Sequence, residues 1–289
     1  VLANLAMRDF GGAQLAVGGN YVAGTMRGFQ TSVGFSWAQE RAVGVQGAAG
    51  MVGTAGDLWG VQLAGGISSV AGHARGVQIS GIANSAHRLT GLQVAIVNVG
   101  GDVTGSQIGV VNIANKVSGA QVGVVNLADD TDFSLGVLSV VRNGRFDFEA
   151  YGSDLAPLSL SLKMGNRRVY TLIAASSRLP GQPDAWWSVG LGVGVHFPLH
   201  PRLSLDVDVM GQSVRTYADP GEVDSIVPQL RAQLAWHLAD RFALFAGPTL
   251  NARVPLLAAG LEHPLGLVSP VGSLGPVELW PGFVAGLRI

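Results

Sequence analysis

The chain has no cysteine, so disulfide frameworks and thiolate metal sites are excluded. Charge is sparse: Asp, Glu, Lys and Arg make up 13% of the 289 residues, and the net charge is −1. No basic patch stands out, which argues against nucleic acid as a partner. No uninterrupted apolar run approaches the roughly 20 residues that a membrane helix needs. The opening Val1-Leu-Ala-Asn-Leu-Ala is apolar but lacks the basic stretch and full apolar core of a signal peptide. Disorder is excluded too, because 48% of the residues are hydrophobic and the mean hydropathy is +0.36. A hydrophobic chain without a helical span points to closely packed β-structure or a membrane β-barrel. The 42 glycines carry no collagen period.

They do carry another one. Gln14, Gln30, Gln46, Gln62, Gln78, Gln93, Gln107 and Gln121 recur at spacings of 16, 16, 16, 16, 15, 14 and 14. Each has a glycine two positions before it, from Gly12 to Gly119, and a small residue two positions after it, from Ala16 to Gly123. The last three copies add Asn98, Asn112 and Asn126 five residues on. A period of this kind predicts a solenoid, one coil per repeat. Residues two apart on a strand share a face, so glycine, glutamine and the small residue are expected together. Leu92, Val94 and Ile96 then make an opposite, apolar face. Coils about 4.8 Å apart let the amides bond up the stack. The expected ladder comprises Gln62, Gln78, Gln93, Gln107 and Gln121, with Asn98, Asn112 and Asn126 beside it. Residues 1–11 read as a short lead-in or cap, and Gly136–Val141 as a degenerate ninth copy with Leu138 in place of glutamine.

Past Arg142-Asn-Gly-Arg145 the texture changes to long alternating segments. In 186–198, Trp187, Val189, Leu191 and Val193 fall opposite Ser188, Gly190, Gly192 and Gly194. In 202–210, Leu205 and Val207 oppose Asp206 and Asp208; in 229–238, Leu234 and Trp236 oppose Gln233 and His237. Such lengths suit a tilted membrane strand of about 9–11 residues. Antiparallel barrel strands are expected near 167–177, 186–198, 202–215, 228–238, 241–254 and 282–289. The fold class is therefore all-β, with solenoid-like repeats over 1–143 and an antiparallel barrel of outer-membrane type over 144–289.

Gly119-Ala-Gln-Val-Gly-Val-Val-Asn126 resembles the Gly-Leu-Gln-x-Gly-x-x-Asn repeats of bacterial surface repeat proteins. The alternating end Phe283, Ala285, Leu287, Ile289 resembles the last strand of bacterial outer-membrane barrels, with Ile289 where an aromatic is typical. The run Arg241-Phe-Ala-Leu-Phe-Ala-Gly-Pro-Thr-Leu-Asn is similar to a strand of small outer-membrane barrels. Neither resemblance brings a catalytic residue with it.

His196, Asp206, Asp208, Arg231, His237 and Arg253 are expected on the inward face of the barrel. They form either a site or a salt-bridged plug, and the plug is favoured because an eight-stranded barrel is filled by its own side chains. Gly190-x-Gly192-x-Gly194 opens no helix and makes a poor dinucleotide loop. Asp129, Asp130 and Asp132 read as an acidic turn before a calcium site, and His73 and His87 as solvated turn residues. No nucleophile elbow, Walker loop or zinc motif occurs. We therefore expect no enzyme, no cofactor and no metal. The expected function is structural: a bacterial outer-membrane or cell-surface protein whose repeats assemble or interact while a barrel anchors them. Its expected partners are outer-membrane lipid, copies of itself or other surface proteins. The alternatives are an outer-membrane barrel enzyme or small-ligand channel, and a secreted fibre-forming β protein.

Overall fold

The computed structural model describes residues 1–178, 185–239, 241–256 and 271–289. Every regular element among them is a strand. The chain divides into two units, Val1–Gly144 and Arg145–Ile289.

In the first unit each repeat is one coil, and neighbouring coils pair in parallel without slippage across most of the stack. Gly28, Gln30 and Ser32 lie on Gly44, Gln46 and Ala48. Gly91 and Gln93 lie on Gly105 and Gln107, which lie in turn on Gly119 and Gln121. An antiparallel meander is thereby excluded. Early coils break into two strands, such as Gly19–Val22 and Thr25–Ser32, whereas the shorter late coils hold one continuous strand, such as Val97–Ile108.

The glycine of each repeat is a corner. Gly105 has φ +133°, and a Cβ there would lie 2.0 Å from the Gly91 carbonyl oxygen of the coil below. Only glycine fits such a position. Simple strand alternation therefore does not carry through it: the glutamine turns fully inward while the glycine stays half-buried. Inside, a strip of apolar residues, including Met26, Leu58, Leu89, Val103 and Val117, fills one side of the coil. The amides occupy the other. Val97, Val111 and Val125 point outward, and the neighbouring inward positions hold Asn98, Asn112 and Asn126.

The two ends of the repeats refine the sequence expectations. At residues 1–11, expected as a lead-in or cap, Ala3–Ala6 pairs in parallel with Gly19–Val22 as a short first coil. At the other end Leu138 does not take the glutamine position: it stacks on Val125, and Ser134 stacks on Gln121. The last coil is shortened just before these points, where the register shifts between Val117 and Ala120, so Gly136 lies over Gly123 and not over the corner Gly119.

The second unit is an antiparallel barrel of eight strands: Arg145–Ser153, Leu158–Gly165, Val169–Arg178, Trp186–His200, Leu203–Thr216, Ser225–Ala239, Phe242–Pro255 and Val277–Arg288. Each pairs with the next, and the eighth closes on the first through Glu149–Arg288, Tyr151–Gly286 and Ser153–Val284. A short strand, Gly272–Leu274, adds to the eighth. The first two strands were not expected from sequence, and the eighth starts at Val277 instead of residue 282. Pro281 lies within the eighth strand, opposite Leu250, and costs the ladder one donor there.

Candidate functional site

In the solenoid the glutamines form one unbroken side-chain ladder. Gln62 Nε2 donates to Gln46 Oε1 at 3.0 Å, Gln78 to Gln62 at 3.0 Å, and Gln93 to Gln78 at 2.9 Å. Gln107 donates to Gln93 and Gln121 to Gln107, both at 2.9 Å. All five are fully buried. The ladder also runs down through Gln46 and Gln30 to Gln14, three members outside the five expected. Its end is open: among the described residues Gln121 Oε1 and Ser134 Oγ have no hydrogen-bond partner.

The asparagines make a second ladder. Asn84 Nδ2 donates to Asn98 Oδ1 at 3.0 Å, Asn98 to Asn112 at 2.9 Å, and Asn112 to Asn126 at 2.8 Å. Each also donates to a turn carbonyl, as Asn98 does to Ile108 O and Asn112 to Val122 O, both at 2.9 Å. These amides do not titrate near neutral pH, so the ladders provide cohesion and no acid–base chemistry.

Strand alternation sends the polar residues of the barrel inward. Asp206 and Asp208 on the fifth strand face Arg231 and Gln233 on the sixth. Asp206 accepts two hydrogen bonds from the Arg145 guanidinium, at 2.9 and 2.7 Å, and one from Lys163 at 3.3 Å. His196 Nδ1 lies 2.6 Å from its Oδ1. Asp208 accepts from Arg231 Nε at 2.6 Å and from Tyr170 at 3.0 Å. Glu149 accepts from Arg288 and, at 2.9 Å, from Ser161, and lies 3.0 Å from Lys163. Arg145 also contacts Asp147 closely.

Four cations thus interlock with four carboxylates, and each carboxylate of the centre is already saturated. Arg145, Glu149, Tyr151 and Lys163 were not singled out from sequence because the first two strands had not been recognised; Tyr170 and Arg288 lie on strands that were expected but were not picked out. Their regular inward register was the available signal: Phe148, Glu149, Ala150 and Tyr151 alternate as the later strands do. Gly194 belongs to this packing, since a Cβ there would lie 2.3 Å from the Tyr170 ring. The glycine run admits an aromatic ring, not a phosphate.

Arg253 stands apart from that centre, 3.3 Å from Asp224 and 3.7 Å from Glu278. His237 also lies outside it: its Nε2 is 2.9 Å from Ser204 Oγ. His196, His200, Ser204 and His237 line a cavity of about 430 Å³ with Pro198 and Leu203. Among the described residues this serine–imidazole pair has no carboxylate bonded to its ring; Asp206 is bonded to His196.

Among the described residues no group of His, Asp and Glu is arranged to hold a metal ion. His73, in the solenoid, sits 2.9 Å from Thr90 Oγ1. Burial and the nearby Arg75, opposed by Asp57, lower its pKa from the ordinary histidine value.

No family model and no curated protein matches this chain. Among solved structures, the crystal structure of the N-terminal β-barrel domain of Pseudomonas aeruginosa OprF covers 50% of this chain and 96% of that domain, at 16% identity and a TM-score of 0.32.

Proposed function

We propose that this chain is a non-enzymatic protein of the bacterial outer membrane, in which the barrel is the lipid-embedded anchor and the repeats form a rigid surface for assembly. One observation carries this reading: the barrel is polar inside and apolar outside. Asp206, Asp208 and Arg231 are fully buried, while Leu191, Val209, Leu234 and Trp236 are 49%, 55%, 47% and 58% exposed. A water-soluble barrel would reverse that arrangement, and lipid-facing strands alternate in this sense. The saturated ion pairs support a closed plug over an open channel.

The test is electrophoresis of the detergent-extracted full chain with and without heating, since a closed membrane barrel keeps its compact form in cold detergent. A heat-dependent shift supports the anchor. A monodisperse protein in detergent-free buffer refutes it.

The Ser204–His237 pair favours one rival, a barrel hydrolase working at the cavity. Ester hydrolysis by the reconstituted protein that disappears in Ser204→Ala would establish that rival. The structural reading expects no such activity.

A further inference from the structure

The solenoid is also polar and apolar on the wrong sides for water, but only along one edge. In every coil the charged residues fall within a single arc, between the inward residue of the first strand segment (Val70, Ala86, Ala114) and the corner glycine. They run from Arg8 and Asp9 through Arg41, Asp57, Arg88 and Lys116 to Arg142. The rest of each coil, from the glycine through the glutamine and the turn to the asparagine, carries no charge anywhere in residues 1–144. Its outward positions are apolar and exposed: Val33 60%, Ile82 55%, Ile96 52%, Val110 46%, Val124 47% and Val137 39%. Stacked at the strand spacing, nine coils make this edge about 40 Å long. An apolar surface of that extent on a solvated protein marks something that covers it.

We propose that this uncharged edge lies in the hydrocarbon of the bilayer, leaving the charged edge as the aqueous face of the repeats. The proposal rests on the reading that the chain resides at a membrane. Two further features select lipid over a protein partner. Firstly, backbone groups in hydrocarbon must be satisfied internally, and along this edge they are. Val97 N donates to Ile82 O, Val111 N to Ile96 O, Val125 N to Val110 O and Leu138 N to Val124 O, each at 2.9 Å. Turn carbonyls there also take a second bond from the inner asparagines: Leu135 O accepts from Gly123 N at 3.0 Å and from Asn126 Nδ2 at 2.9 Å.

Secondly, amphipathic aromatics stand where the apolar edge gives way to charge. Trp37 Nε1 donates to Gln39 Oε1 at 3.0 Å. On the other flank Trp59 packs between Arg41 and Arg75, with centroid distances of 5.7 and 5.4 Å. That is the placement of an interfacial aromatic belt. A protein-docking surface would instead carry a polar rim across its length.

The absence of cysteine gives a clean experiment, because a single introduced thiol is the only one labelled. Ile96→Cys, Ile108→Cys and Val124→Cys sample the edge, Lys116→Cys the charged side, and Leu234→Cys the barrel exterior. All are outward positions, so packing is undisturbed. Each full-length variant is labelled with a polarity-sensitive fluorophore and reconstituted in vesicles of phosphatidylethanolamine and phosphatidylglycerol. Quenching by spin-labelled acyl chains is then compared with quenching by aqueous iodide.

The expected result is severalfold stronger lipid quenching than iodide quenching at 96, 108 and 124, with the reverse at 116. Strong iodide quenching at the edge, while 234 is quenched by lipid, overturns this proposal and leaves the barrel anchor standing. Protection of the edge from both quenchers shows that protein covers it, and overturns the proposal as well. Iodide quenching at 234 together with lipid quenching at 96, 108 and 124 would remove the barrel reading alone.

Discussion

The buried amide is the residue that gives this chain its character. A glutamine in a coil interior is stable only if its neighbours above and below complete its hydrogen bonds, because an orphaned buried polar group costs about 1–3 kcal/mol. Gln107 bonds to both Gln93 and Gln121. Gln107→Ala is therefore expected to lower stability by about 1–3 kcal/mol in denaturant unfolding. Gln14→Ala, at the first coil, should lower it less, since Gln14 has a neighbour on one side only. Equal effects at the two positions would contradict the ladder account. The lumen charges obey similar logic with higher stakes. Asp208 neutralises the fully buried Arg231, so Asp208→Ala is expected to cost about 3–5 kcal/mol. His237→Ala, at the exposed end of the barrel, should cost much less. Thermal unfolding of the two variants in detergent compares them directly.

At the scale of elements, the coil depends on its corner and the barrel strand on its alternation. Gly105→Ala forces a Cβ against the Gly91 carbonyl at a φ that other residues avoid, and is expected to cost at least about 2 kcal/mol. Proteolysis of the variant should cut within the repeats first. A Gly105→Ala protein as protease-resistant as the parent would show that the corner tolerates a side chain. In the barrel, Val207→Arg should cost about 2–4 kcal/mol if the position lies near the bilayer midplane, whereas arginine at the exposed Arg88 edge of the solenoid is native. Elements of both kinds were legible in the sequence wherever periodicity was clean: the solenoid register from Gln62 to Gln121, and the alternation in Leu203–Thr216 and Ser225–Ala239. Legibility failed where a local feature broke the count. The alternation that marked the last strand began only at Phe283, so its start at Val277 was missed. The shortened coil after Gln121 put Ser134, not Leu138, on the ladder. Strands Arg145–Ser153 and Leu158–Gly165 went unseen, and with them Arg145, Glu149 and Lys163, the partners that turn the lumen residues into an interlocked ion-pair network.

For the whole molecule, both units enclose hydrogen-bonded polar side chains and expose apolar ones, the barrel around its strands and the solenoid along one edge, beside a buried apolar strip. Sequence reasoning reached the outward apolar face of the barrel but left the inward face of the solenoid open, because period alone cannot say which side of a strand is enclosed. Folding such a chain in water would leave large apolar surfaces uncovered, so the account requires a bilayer to complete the structure. Flotation of the full chain reconstituted with phospholipid vesicles, after washing in alkaline carbonate, tests that requirement most directly. The account predicts that the protein floats with the vesicles and resists the wash as an integral membrane protein does. Recovery of folded, monodisperse protein in the washed aqueous fraction would contradict it.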